Sequence, residues 1–146
     1  MPPRKVIQKH LGQLLVDAKL ITQEQLDAAL KLQEEKGGLI GQVLVGQGMT
    51  TEEAIAKALT AQYGFPYMPL AGYEMDVAVV KLIPENVARQ YEMIAVDRMG
   101  NVLTLAMSNP LNNQAIEDIE MITKCRIQAF VSTSTDIKDS ITKYYK

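Results

Sequence analysis

The stretch HLGQLLVDAKLITQEQLDAALKLQ, from His10 to Gln33, is followed after a five-residue spacer by LIGQVLVGQGMTTEEAIAKALTAQ, from Leu39 to Gln62. Aligned at an offset of 29 residues, the copies share Gly12/Gly41, Gln13/Gln42, Leu15/Leu44, Val16/Val45 and Thr22/Thr51. Glu24/Glu53, Ala29/Ala58, Leu30/Leu59 and Gln33/Gln62 match as well. A repeat of this length means one supersecondary unit used twice, each copy with the same face to bury.

The pattern inside each copy is helical. Thr22 and Gln25 fit a capping box, in which the threonine hydroxyl takes a backbone N–H and the glutamine reaches back. Leu26, Ala29, Leu30 and Gln33 then recur at helical spacing, and Gly37-Gly38 ends the helix. Thr51 starts the counterpart, with Glu52 and Glu53 near the positive end of its dipole and Ile55, Ala58, Leu59 and Gln62 repeating the stripe. A shorter apolar segment precedes each long helix, Val6 to Ala18 and Leu39 to Gln47. The expectation is a bundle of about four helices, built as two helix-turn-helix units over residues 1–63.

A Gly/Pro/aromatic connector over 64–76 cannot continue a helix through Pro66 and Pro69. Beyond it the grammar changes. Pro84 opens a short helix, PENVARQYE; MIAVD and VLTLAMS read as strands joined across Arg98-Met99-Gly100-Asn101, with Gly100 and Asn101 available for positive φ. Asn109-Pro110 breaks the second strand. Residues 113–123 follow as an amphipathic helix, CRIQAFV as a third strand and residues 135–145 as a closing helix. Residues 77–146 thus form a small α/β subdomain with about three strands, and the whole chain is α+β.

The chemistry that is absent narrows the function. No phosphate-binding G-x-x-x-x-G-K-[ST], no G-x-G-x-x-G and no G-x-S-x-G occurs. His10 is the sole histidine and Cys125 the sole cysteine, so neither a zinc site nor an intramolecular disulfide is expected, and Cys125 reads as a buried thiol. Glu52-Glu53 and Glu117-Asp118 fall at adjacent helix positions and read as solvated. A net charge of −2 gives no electrostatic basis for DNA or RNA binding. No run approaches the roughly 20 apolar residues of a membrane span. A non-enzymatic, cytoplasmic protein without a covalently bound cofactor is the expectation.

The leucines and alanines of the stripe need only packing. The glycines kept inside predicted helices suggest close approach of a neighbouring helix or a ligand, and the terminal glutamines offer polar contacts. This pattern resembles the N-terminal domain of type II secretion and type IV pilus assembly ATPases, the group that includes the MshEN cyclic-di-GMP-binding domain. Its motif, R-L-G-x-x-[LVI]-[LVI]-x-x-G-[LVI]-[LVI]-x4-L-x3-L-x2-Q, is used twice with a five-residue spacer. The second half, IPENVARQYEMIAVDRMGNVLTLAMSNPLNNQAIEDIEMITKCRIQAF, is similar to the same group, with an A-M-x-D-P-like turn after the hairpin.

The resemblance implies a regulatory and docking domain with cyclic-di-GMP as candidate ligand. Candidate ligand-binding residues carried over from it are His10, Leu11, Gly12, Leu15, Val16, Gln33, Leu39, Ile40, Gly41, Leu44, Gly48, Gln62 and Asn109. Implied partners are the cytoplasmic domain of an inner-membrane platform protein and an ATPase motor in cis or in trans, which would hold the chain peripherally at the inner membrane. The departures fall on polar positions: His10 and Leu39 stand where the motif has arginine, Lys19 where the first copy has its second glycine, and Asn109 where the turn has aspartate. They leave a docking module without nucleotide binding as the alternative.

Overall fold

The structure, a computed structural model, describes residues 7–145 and the side chains from Leu11 onward. His10 lies in the first helix, but its side chain, like Lys9, is outside the described ones.

Four helices come first: α1 (Ile7–Asp17), α2 (Gln23–Lys36), α3 (Ile40–Gly46) and α4 (Glu52–Tyr63). The capping box at Thr22 is formed from both sides, with Gln25 N donating to Thr22 Oγ1 and Thr22 N to Gln25 Oε1. Thr51 Oγ1 accepts from Ala54 N in the same way. The short helices end identically in the two copies. Lys19 N donates to Val16 O and Leu20 N to Leu15 O, while 29 residues on Gly48 N donates to Val45 O and Met49 N to Leu44 O. This is a Schellman closure, which needs a left-handed residue. Its φ values are +63° at Lys19 and +71° at Gly48.

Between the halves, Asp76 caps a four-residue helix that the valine-rich sequence does not announce, α5 (Val77–Val80). Then follow α6 (Glu85–Tyr91), β1 (Met93–Met99), β2 (Val102–Met107), α7 (Asn113–Thr123), β3 (Arg126–Val131) and α8 (Ser134–Tyr144). The sheet order is β1-β2-β3, antiparallel between the first pair and parallel between the second, with a bulge in β1 between Ala95 and Asp97. The strands run further into the hairpin than the sequence suggests. Only Gly100 takes positive φ there, so a two-residue turn needs no help from Asn101. Among the described residues, eight helices and a three-stranded sheet make an α+β fold.

Two apolar clusters form. One lies among the four N-terminal helices, around Leu11, Leu15, Ile40, Leu44 and Leu59. The other lies between the sheet and α5–α8, around Ile83, Met93, Leu105, Ile119 and Ile137. Val131, the last residue of β3, belongs to the helical cluster and so ties the sheet to it. Tyr145 anchors the far end: its hydroxyl lies 2.8 Å from Val80 O and 2.7 Å from Ile83 O, and burial, followed by the Glu85 charge, pushes its pKa up to about 12.

Candidate functional site

A cleft of about 270 Å³ opens where the second repeat copy meets the ends of β2 and β3. Its apolar side is built by Leu11, Leu39, Val45 and Ile55, with Gly41 and Gly46 keeping the α3 backbone bare. Its polar side comes from the sheet half: Glu92, Ser108, Asn109, Ser132, Ser134, Thr135 and Lys138.

Glu92 is the hub of that side. It ends α6 at φ +52°, and its side chain is 3 % exposed. Ser108 Oγ donates to it at 2.9 Å and Ser134 Oγ at 2.7 Å; Gln42 Nε2 donates to it from α3. Lys138 Nζ stands 3.5 Å away. A buried carboxylate is tolerated because these partners replace its lost hydration. On the opposite rim Glu52 accepts from the backbone N–H of Thr135 and, at 2.6 Å, from its hydroxyl. Glu52 is therefore engaged rather than simply solvated, and so is Asp118, which accepts from the Tyr91 hydroxyl at 2.6 Å and holds that phenol's pKa above its usual value.

The turn after β2 presents Asn109. Its Oδ1 accepts from Leu111 N at 3.1 Å and its carbonyl from Asn112 N, which closes the turn; the residue is 9 % exposed. Ser132 is 2 % exposed, and its Oγ has no hydrogen-bond partner among the described residues.

Of the residues singled out from sequence, the structure brings Leu11, Leu39, Gly41 and Asn109 into this cleft. Leu15, Ile40 and Leu44 are fully buried in the helical cluster, with Val16 packed against it. Gly12 serves helix packing: a Cβ there would lie 2.4 Å from Leu26 Cδ1. Gln33 Nε2 donates to Gly38 O at 3.0 Å, fastening the spacer between the copies. Gly48 supplies the left-handed closure of α3. Gln62 lines a separate depression of about 440 Å³ with Gln13, Asp17 and Tyr63.

Sequence reasoning missed Gln42, Glu92, Ser108, Ser132, Ser134 and Lys138. The run of hydroxyls V-S-T-S-T after β3 was the available signal, since the cap of α8 needs only one of the four, Thr133. Among the described residues no cluster of three or more His, Cys, Asp or Glu could hold a metal ion, and no helix is long and apolar enough to cross a membrane.

A duplicated pair of helix-turn-helix units, joined through a polar-walled cleft to a three-stranded α/β half, defines a class of small α+β modules. The comparisons make that class specific: the MshEN domain family matches residues 63–146, and the chain belongs to it. The type IV pilus assembly ATPase PilB of Myxococcus xanthus (strain DK1622) is 34% identical over 136 residues, 93% of this chain and 24% of that protein. The chain thus spans about a quarter of that relative's length. A solved structure of MshE with cyclic-di-GMP shares 28% identity at a TM-score of 0.68, covering 92% of this chain and 98% of that one. The N-terminal domain of XpsE superposes with a TM-score of 0.79 over 100% of both chains at 18% identity, a likeness of fold. The family match covers the sheet half and its connector; the PilB relative and both structures extend the likeness over the duplicated helices.

Proposed function

We propose that this chain is a non-catalytic regulatory and docking module of a type II secretion or type IV pilus assembly ATPase, and that it senses cyclic-di-GMP in the cleft. One observation carries the reading. Leu39 and Gly41 of the second repeat copy, Leu11 of the first and Asn109 of the post-hairpin turn all line one concavity. The duplicated helices and the sheet act as two subdomains, 1–63 and 77–146, joined by the 64–76 connector. The module works on the cytoplasmic side of the inner membrane, between an ATPase motor supplied in cis or in trans and the cytoplasmic domain of a platform protein.

Isothermal titration calorimetry with cyclic-di-GMP up to millimolar concentration tests the sensing role. Saturable heat is the expected result, and its absence at that reach sinks nucleotide sensing for this chain. A second reading, docking without nucleotide, is favoured by the charges on the described walls: Glu52 and Glu92 face the cleft against Lys138 alone, and Leu39 offers no hydrogen bond. It expects capture of the platform protein's cytoplasmic domain in a pull-down that cyclic-di-GMP leaves unchanged.

A further inference from the structure

Four hydroxyl groups stand on the polar wall of the cleft in the run from Ser132 to Thr135 and at Ser108, if the helix-capping Thr133 is set aside. Three of them have partners. Ser108 and Ser134 donate to Glu92, and Thr135 donates to Glu52. Ser132 has none among the described residues, although it is 2 % exposed and lies in the same wall. A buried hydroxyl without a partner lowers stability, and alanine at the same place would remove that cost. Nor does the local backbone require serine. Ser132 N donates to Met107 O at 2.9 Å, a bond any residue but proline makes, and the cap of α8 is supplied by Thr133. The hydroxyl nevertheless stands one residue past the end of β3 and one before that cap.

From this we infer that Ser132 is a ligand-contacting residue supplied by the sheet half, and that it receives the uncharged hydrogen-bonding edge of a nucleobase rather than a phosphate. The inference rests on the nucleotide-sensing reading above. The choice of a base edge follows from the cleft's charges. The carboxylates of Glu52 and Glu92 share the cleft, and the ammonium of Lys138 is 3.5 Å from Glu92 and already opposed by it. A phosphate group beside Ser132 would add negative charge to a wall that carries two carboxylates. A hydroxyl both donates and accepts, which suits a ring edge where carbonyl or ring-nitrogen acceptors alternate with N–H donors. The same cleft carries the apolar side chains of Leu39, Val45 and Ile55, which suit packing against the flat of the ring.

The test compares the wild-type chain with Ser132→Ala, by calorimetry with cyclic-di-GMP and by thermal unfolding without it. The variant is expected to bind about two- to tenfold more weakly, the worth of one hydrogen bond. The loss should be the same at roughly 50 and 500 mM salt, because an uncharged contact is not screened. At the same time its unliganded Tm should rise by about 2–4 °C, since an unpaired buried hydroxyl has been removed. A residue kept for the fold would instead lower the Tm and leave the affinity unchanged. Unchanged affinity in Ser132→Ala overturns the inference and leaves the sensing reading standing, as does a loss that appears only at low salt. A fall in Tm, which would reveal a structural partner for the hydroxyl, also overturns it. Absence of binding by the wild-type chain overturns the reading and the inference together.

Discussion

Gly12 and Gly41 occupy the same place in the repeat, yet their surroundings make them different residues physically. At Gly12 an added Cβ would stand 2.4 Å from Leu26 Cδ1, and Leu26 is itself only 3 % exposed, so its side chain has little room to yield. At Gly41 the nearest atoms would be Ile55 Cδ1 at 3.7 Å and Leu11 Cδ2 at 3.8 Å, ordinary van der Waals contact. Gly12→Ala should therefore destabilise by about 1–3 kcal/mol through overpacking, partly offset by helix propensity. Gly41→Ala should be neutral or stabilising by up to about 1 kcal/mol, because only the propensity gain remains. Urea denaturation of both variants checks this, and equal losses would refute the distinction. The sequence showed that both glycines were kept, and the alternatives of helix crossing and ligand approach each fitted. Only the position of Leu26, set by how α2 lies on α1, separates them. The same holds for Gln33 and Gln62, identical in the repeat but directed one to the Gly38 carbonyl and the other to an open depression.

Elements were more legible than residues, because caps and stripes are local. Thr22-Gln25, Thr51, the Gly37-Gly38 stop and the 113–123 helix all depend on groups within four positions of one another, and each stands where its chemistry puts it. The misses were also physical. In α5 three of the four residues are valine, a poor helix former, and the turn is held by the Asp76 cap and the burial of Val80. Lys19 shows an element strained by its own sequence. It adopts φ +63° at the Schellman position where the second copy has Gly48 at +71°. A side chain in left-handed backbone costs about 1–2 kcal/mol, against which glycine's larger entropy in the unfolded chain weighs about 0.5–1. Lys19→Gly should thus stabilise by about 0.5–1 kcal/mol, raising the urea midpoint without changing the slope. A lower midpoint would mean that the lysine side chain contributes more than its backbone strain costs.

At the scale of the whole molecule the two halves are joined by contacts that no local pattern could announce. Val131 crosses from the sheet into the helical cluster, Gln42 reaches Glu92 across 50 residues and Glu52 reaches Thr135 across 83. These contacts frame the cleft, which is why the sequence located the repeat but, of the polar wall facing it, only Asn109. The repeat itself supplies the control for testing this joint. Gln42 and Gln13 are equivalent in the two copies, but Gln13 Nε2 donates at 3.0 Å to the exposed Asp17 four residues on. Gln42 Nε2 meets a buried carboxylate, and its Oε1 accepts from Leu39 N at 3.1 Å at the start of α3. Removing a donor from a buried charge leaves that charge less compensated, so Gln42→Ala should cost about 1.5–3 kcal/mol. Gln13→Ala should stay within about 0.5 kcal/mol, as surface substitutions do. Hydrogen exchange locates the damage. In Gln42→Ala the amides of α3 and the Ser108 amide, which donates to Glu92 O at 3.2 Å, should open together, while the Thr22 cap keeps its protection. If exchange quickened in α3 alone, Gln42 would be a helix-start residue and the halves would be held by Val131 and the Glu52–Thr135 contact without it.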